Sequence, residues 1–312
     1  MEIITALNKL HKFAVPCVVA LGTFDGLHLG HLNVIRTAKR EAALTGAKLA
    51  VFTFTNHPLA LINPVMAPPA LITKEQKYKL FKGLGVDVLI DVPFNQEVAD
   101  IEPAAFLKIL RALNYSCLVV GDNFTYGRYG KGNSKTLANS AEQLKFKLLV
   151  LPLVTIENTI VSSTVIRKFI AFGQVDKAAK MLGRRYSLSG TVIKGQKRGS
   201  LLGYPTANLA LENTLLAVPK EGVYAVWVNF ENRVFGGMSN VGKNPTFGDV
   251  SKVRLETNIF DFSGLIYGKR LTVEFVNRIR GEIKFEMVDN LKKQLILDKE
   301  KCSIILTGKE FD

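Results

Sequence analysis

CVVALGTFDGLHLGH, residues 17–31, is the stretch on which the reading of this chain turns. Cys17–Leu21 is an apolar run of the kind that forms a buried strand. Gly22, Gly26 and Gly30 then break the chain, and Gly30–Leu44 resumes with Leu32, Ile35, Ala38 and Ala42 at helical spacing until Gly46 stops it. A strand that enters a Gly-rich turn and opens a helix points backbone N–H groups and the positive helix end at an anion. Two of the four histidines, His28 and His31, stand at that helix start. Imidazoles so placed can hydrogen-bond a phosphate and stabilise charge that grows as its phosphorus is attacked. Such chemistry is mostly positioning and electrostatics, so the protein need not supply a nucleophile. A zinc site is the competing reading, but zinc wants three or four protein ligands. The remaining candidates, His11, His57 and scattered cysteines, are not at ligand spacing.

Outward from this turn the first half alternates. Strands are expected at Leu49–Phe54, Val86–Ile90, Leu118–Val120 and Lys147–Leu153. Helices are expected after Thr73, whose spacing to Gln76 suits a capping box, over Pro103–Leu113, and at Ser163–Ala171 and Val175–Leu182. Alternating β and α elements argue for a parallel sheet covered by helices. After Gly183 the pattern changes to short strands: Tyr186–Ile193, Gly222–Phe230, Arg233–Met238, Arg254–Phe262 and Arg270–Val276. Gly, Pro and Asn separate them, which is the signature of an antiparallel barrel or sandwich. A helix over Lys284–Asp298 follows. The fold class is therefore α/β with a parallel sheet, then an antiparallel β-barrel with a C-terminal helix, divided into domains 1–183 and 184–312.

The chain has 312 residues, 47% of them hydrophobic, and a net charge of +14. Residues 1–183 hold 21 Lys+Arg against 13 Asp+Glu, and residues 184–312 hold 20 against 14. An even spread with no basic tail favours small phosphate-bearing ligands over nucleic acid. No apolar stretch is long enough for a membrane span, and the N-terminus lacks the pattern of a signal peptide. Cys17, Cys117 and Cys302 form no C-x-x-C pair, so a reducing cytoplasm is expected.

Two further stretches suit phosphate. Ser162, Ser163 and Thr164 precede a helix, with Arg167 one turn on. In GTVIKGQKRGSLLGYPTAN, residues 190–208, a loop with Lys194, Lys197 and Arg198 suits a triphosphate. The hydroxyl of Thr206 and the amide oxygen of Asn208 suit Mg²⁺ beside phosphate oxygens. No histidine follows His57, so a base acting on an alcohol in this half would be a carboxylate.

His28-Leu29-Gly30-His31 resembles the H-x-G-H signature of the nucleotidyltransferase superfamily, which implies a Rossmann-like first domain. GTFDGLHLGH with FTFTNHP (52–58), VVGDNFTYG (119–127) and VSSTVIR (161–167), in that order, resembles the prokaryotic bifunctional riboflavin kinase/FMN adenylyltransferase family, also called FAD synthetase. GYPTANL, LETNIFDF, GMSNVGKNPTFG and RIRGEIKF extend the likeness through the second half. The resemblance implies His28, His31 and Glu256 as catalytic. It implies ATP contacts from Gly22, Phe24, Gly30, Ser162, Ser163, Thr164 and Arg167, and from Gly190, Lys197 and Gly203. It further implies flavin contacts from Asp122, Asn123, His57 and Arg280, and Mg²⁺ on Thr206 and Asn208.

Three departures stand out. The chain has Thr55-Asn56-His57-Pro58 where the family has Asp-Pro-His-Pro. It has Glu256-Thr257-Asn258 where Glu-x-His is common, and Gly199-Ser200 where Gly-Arg is common. The implied activity is phosphorylation of riboflavin by ATP to FMN, then adenylyl transfer from ATP to FMN, releasing FAD and pyrophosphate. The alternatives are an FMN adenylyltransferase with an inactive kinase-like barrel, a flavin-binding regulator and a nucleic-acid-binding protein. Oligomer formation stays open.

Overall fold

The computed structural model describes residues 1–195, 203–212, 215–243 and 253–308. It divides into two compact units, Met1–Ser163 and Thr164–Asp312. Helices α7 (Ser163–Ala171) and α8 (Val175–Leu182) thus group with the second unit, whereas the sequence division at 183 kept them with the first.

The first unit is a six-stranded sheet in the order β1 (Glu2–Ile4), β4 (Val88–Val92), β3 (Lys48–Phe54), β2 (Cys17–Leu21), β5 (Tyr115–Gly121), β8 (Lys147–Leu151). Every pairing is parallel. Parallel strands need crossovers, and helices on both faces leave them apolar throughout. Cys17–Leu21 is accordingly buried at all five positions. Val19, Phe52, Ile90 and Leu118 pack on one face, and Val18, Ala20, Leu89 and Val119 on the other. The first crossover is α1 (Leu29–Thr45), ended by Gly46 in the left-handed conformation. A four-residue helix, α2, spans Leu59–Ile62. Next comes α3 (Lys74–Leu84), opened by the expected capping box of Thr73 and Gln76. It is followed by α4 (Gln96–Ala99), α5 (Pro103–Leu110) and α6 (Ser134–Leu144). Two short hairpins, β6–β7 at 125–133 and β9–β10 at 155–160, complete the unit.

The chain runs from β2 outward through β3 and β4, then returns to place β5 on the other side of β2. In such sheets ligands bind beyond the carboxyl ends of the two strands where the order reverses. Here those strands are β2 and β5, paired from Cys17↔Tyr115 to Ala20↔Val119.

The second unit contains a closed antiparallel barrel, β11 (Tyr186–Ile193), β12 (Ala207–Leu211), β15 (Val253–Ile259), β14 (Arg233–Lys243), β13 (Gly222–Phe230) and β16 (Arg270–Arg280), which pairs back onto β11. Leu188, Val226, Leu255, Val273 and Phe275 are buried in it. The C-terminal helix α9 (Val288–Thr307) packs on β13, β14 and β16. It begins four residues later than its sequence pattern predicts and extends nine residues further. The fold expected from sequence is the fold observed.

Candidate functional site

The carboxyl ends of β2 and β5 carry the two turns that the sequence marks. After β2, Phe24 (φ 47°), Gly26 (φ 78°) and Leu27 (φ 43°) are all in the left-handed region. For Phe24 and Leu27 that costs on the order of 1–3 kcal/mol each, and only surrounding contacts sustain it. Both side chains are fully buried, which supplies those contacts.

The turn ends at His28, the N-cap of α1. Its Nδ1 accepts the backbone N–H of His31 at 3.3 Å, so a neutral His28 carries its proton on Nε2. The two imidazoles stack at 3.6 Å between ring centres, 18° from parallel. Phe24 meets His31 edge-on at 5.3 Å. Burial holds His31 well below the usual histidine pKa, with help from His28 and Lys77. His31 is therefore neutral at pH 7, and its Nδ1 is buried with no hydrogen-bond partner among the described residues.

The glycine between the histidines now has a physical reason. A Cβ at Gly30 would stand 3.1 Å from His28 Cε1 and 3.2 Å from Nδ1. The His28 ring lies over that backbone, and a methyl group there would push it away. Gly30→Ala is expected to lower any phosphate chemistry done at this turn about 10–100-fold, as small misplacements of reacting groups do.

Ser163 Oγ donates to the Asp25 carbonyl at 2.9 Å, within the first unit. Ser162 immediately precedes α7, and Thr164 and Arg167 lie along it. Gly22 adjoins the Phe24 ring. Asp122 and Asn123 are exposed turn residues just after β5. His57, after β3, uses Nδ1 to accept the Leu59 N–H at 3.1 Å. It is placed by its own loop, and Asn56 bonds both ways with Phe94 to hold that loop.

Lys77 on α3 is a site neighbour that the sequence reading missed. It lies on an unremarkable Lys-rich helix (KEQKYKLFKGL), and nothing in that pattern marks it as buried. Its Nζ donates to Thr53 Oγ1 and to the Phe54 carbonyl, each at 2.9 Å, and lies 3.9 Å from Asp91.

In the barrel, register assembles the second set. Asn208 pairs with Glu256, Glu256 with Asn240, Asn240 with Val223, and Val223 with Arg280. Directly paired residues point to one side of a sheet, so these form one row across five strands. The row alternates with Leu209, Leu255 and Val241, which are buried in the core. Arg254 Nε donates to Glu256 Oε1 at 2.8 Å, and its Nη2 reaches the same oxygen. Asn258, two residues on, donates from Nδ2 to the Pro205 carbonyl at 2.7 Å. It thus braces the backbone immediately before Thr206.

The amide of Asn208 lies over Gly195, where a Cβ would collide with Nδ2. Gly190 sits inside β11, paired with Leu211 and Leu271, within the strand expected over Tyr186–Ile193. Gly203 is in a turn at φ 83°. Arg280 is committed to Asp298 of α9, donating from Nε at 2.9–3.0 Å and from Nη2 at 2.6 Å. Lys197, Arg198, Ser200 and residues 244–248 lie outside the described residues.

Residues 10–165 match the FAD synthetase family and residues 182–306 the riboflavin kinase family. A bifunctional riboflavin kinase/FMN adenylyltransferase of Bacillus subtilis is 39% identical over 91% of each chain. One of Listeria monocytogenes is 36% identical over 91% of this chain and 90% of its own. A crystal structure described as a macrolide-efflux protein from Streptococcus pneumoniae superposes with a TM-score of 0.88 at 33% identity, covering 96% of this chain and 97% of that one. Among the described residues no helix is long and apolar enough to cross a membrane.

Proposed function

Because this chain belongs to the bifunctional riboflavin kinase/FMN adenylyltransferase family, we propose that its two reactions run at the two residue sets just described. The enzyme phosphorylates riboflavin to FMN with ATP, then adenylylates FMN to FAD with release of pyrophosphate. Relatives matched over nine-tenths of this chain carry both activities in their names, which disfavours a silent barrel.

Adenylyl transfer belongs to residues 1–183 in this reading. The observation that carries it is the stacked His28–His31 pair at the start of α1, beside the sheet's switch point. The phosphate oxygen of FMN attacks the α-phosphorus of ATP, and the bond to the β-phosphate oxygen breaks. Nε2–H of His28 and the neutral ring of His31 offer hydrogen bonds to the charge that gathers on the α-phosphate. Gly22, Phe24 and Gly30 let the phosphate chain approach the turn. Ser162, Ser163, Thr164 and Arg167 at α7 hold the triphosphate. Asp122, Asn123 and His57 face the flavin.

The kinase belongs to residues 184–312. Glu256 takes the proton of the ribityl hydroxyl as that oxygen attacks the γ-phosphorus, and ADP leaves. Gly190, Lys197 and Gly203 belong to the nucleotide side. Thr206 and Asn208 fit Mg²⁺, because both offer hard oxygen ligands and the cradle at Gly195 fixes the Asn208 amide. The ion, when bound, offsets charge on the transferring phosphate. Arg280 shares the barrel row with Glu256 and is here a flavin-side residue that Asp298 orients. Three buried, unpaired cysteines support a working place in a reducing cytoplasm.

Purified protein with riboflavin, ATP and Mg²⁺, followed by chromatography, is expected to yield FMN first and FAD after it. FAD from supplied FMN with no conversion of riboflavin would overturn the kinase half of the reading.

A further inference from the structure

The buried ammonium of Lys77 lies behind the phosphate-binding turn and outside every motif in the chain. Its residue is 8% exposed. A charge removed from water this far must be paired and hydrogen-bonded. Thr53 Oγ1, the Phe54 carbonyl and Asp91 satisfy it, while the Thr23 carbonyl is at 3.4 Å, long for a direct bond. Asp91 is itself 1% exposed and accepts the Tyr78 hydroxyl at 2.8 Å.

Thr53 makes the arrangement directional. A hydroxyl has one proton. Since Thr53 Oγ1 accepts from Lys77, its proton goes to the Thr23 carbonyl, 2.8 Å away. The relay therefore runs from Lys77 through Thr53 to the turn. In a trans peptide the N–H points opposite to the C=O, so fixing the Thr23 carbonyl inward fixes the Phe24 N–H outward. Phe24, Gly26 and Leu27 are the positions with positive φ, where the turn most needs holding. The charge also reaches His31, whose proton it helps to repel.

We propose that Lys77 is a positioning residue for adenylyl transfer, which sets the Thr23–Phe24 peptide through Thr53 and places a buried positive charge behind the triphosphate. The proposal rests on the reading that the His28–His31 site transfers the adenylyl group. Desolvation lowers the Lys77 pKa to about 8, against the opposing pull of Asp91 and Asp25 and with a small push from Lys74. The ammonium is thus the main form at pH 7 and is lost as pH rises through about 8. If the charge matters, FAD formation falls along that limb. An arginine, charged at all these values, removes the fall.

The test uses the full chain and follows FAD formation from FMN and ATP between pH 6.5 and 9.5, with riboflavin phosphorylation as the internal reference. Lys77→Met is expected to lower kcat for FAD formation about 10²-fold, with a smaller change in the KM for ATP and with kinase activity unchanged. Lys77→Arg is expected to keep more activity than Lys77→Met and to lose the decline above about pH 8. Thr53→Val breaks the relay without removing the charge. It is expected to lower kcat while leaving the alkaline decline in place, and it serves if Lys77→Met does not fold. Unchanged kcat in Thr53→Val, or the same alkaline decline in Lys77→Arg as in the unaltered chain, would overturn the proposal. No FAD from the unaltered chain would instead overturn the reading beneath it.

Discussion

His28→Ala is expected to cut FAD formation about 10²-fold or more, the usual loss when a preorganised charge-stabilising donor is removed, while riboflavin is still converted to FMN. Two effects add. The variant loses the Nε2 proton, which the bond from the His31 N–H assigns to that nitrogen. It also loses the N-cap of α1, since His28 Nδ1 satisfies one of the helix's first amides. A lost cap costs about 1 kcal/mol of stability, too little to unfold a unit with so extensive a core. The loss should therefore appear in rate and not in the amount of folded protein. His28→Asn separates the two effects, because asparagine caps helices well but has no imidazole. It is expected to restore thermal stability and not FAD formation. Equal loss of FMN and FAD formation in His28→Ala would sink the assignment of the two reactions to separate sites.

Glu256→Gln is expected to give the opposite pattern. Riboflavin phosphorylation falls about 10²-fold or more, within the range for removing a general base, while FAD forms normally from supplied FMN. Glutamine keeps the shape and can still accept from Arg254, so β15 and its register with Asn208 and Asn240 should persist. What goes is the ability to take a proton. Phosphorylation at the rate of the unaltered chain would remove Glu256 from the mechanism.

Local pattern carried most of the fold. Cys17–Leu21, buried on both faces, could only be a central strand, and Gly46, Thr73 and Gly183 punctuate helices where their chemistry predicts. The misses have physical causes. Strand β12 has alternation over only five residues and follows a Gly-rich stretch, so it reads as loop until β11 and β15 pair with it. Helix α6, SKTLANSAEQL, is mostly polar and shows little to a search for apolar faces, although Asn133 and Thr136 form its capping box.

The site was legible where chemistry is local, as in His28–His31. It was illegible where chemistry comes from tertiary contact. Burial of Lys77 depends on β3 and β4, and the role of Asn258 depends on where Pro205 falls. Replacement of the family's histidine by Asn258 leaves a donor in place, and that could be read only once its acceptor was known.

The pairing of Arg280 with Asp298 bears on the order in which the protein is made. Asp298 is wholly buried on the last helix, and every barrel strand precedes it. Until α9 is present Arg280 lacks its counter-charge, and the parts of β13, β14 and β16 that α9 covers stay open to water. The second unit therefore reaches full stability only after α9 has been made, when the first unit has had time to fold. FMN formation, the first chemical step, is thus carried by the later-made of the two matched regions.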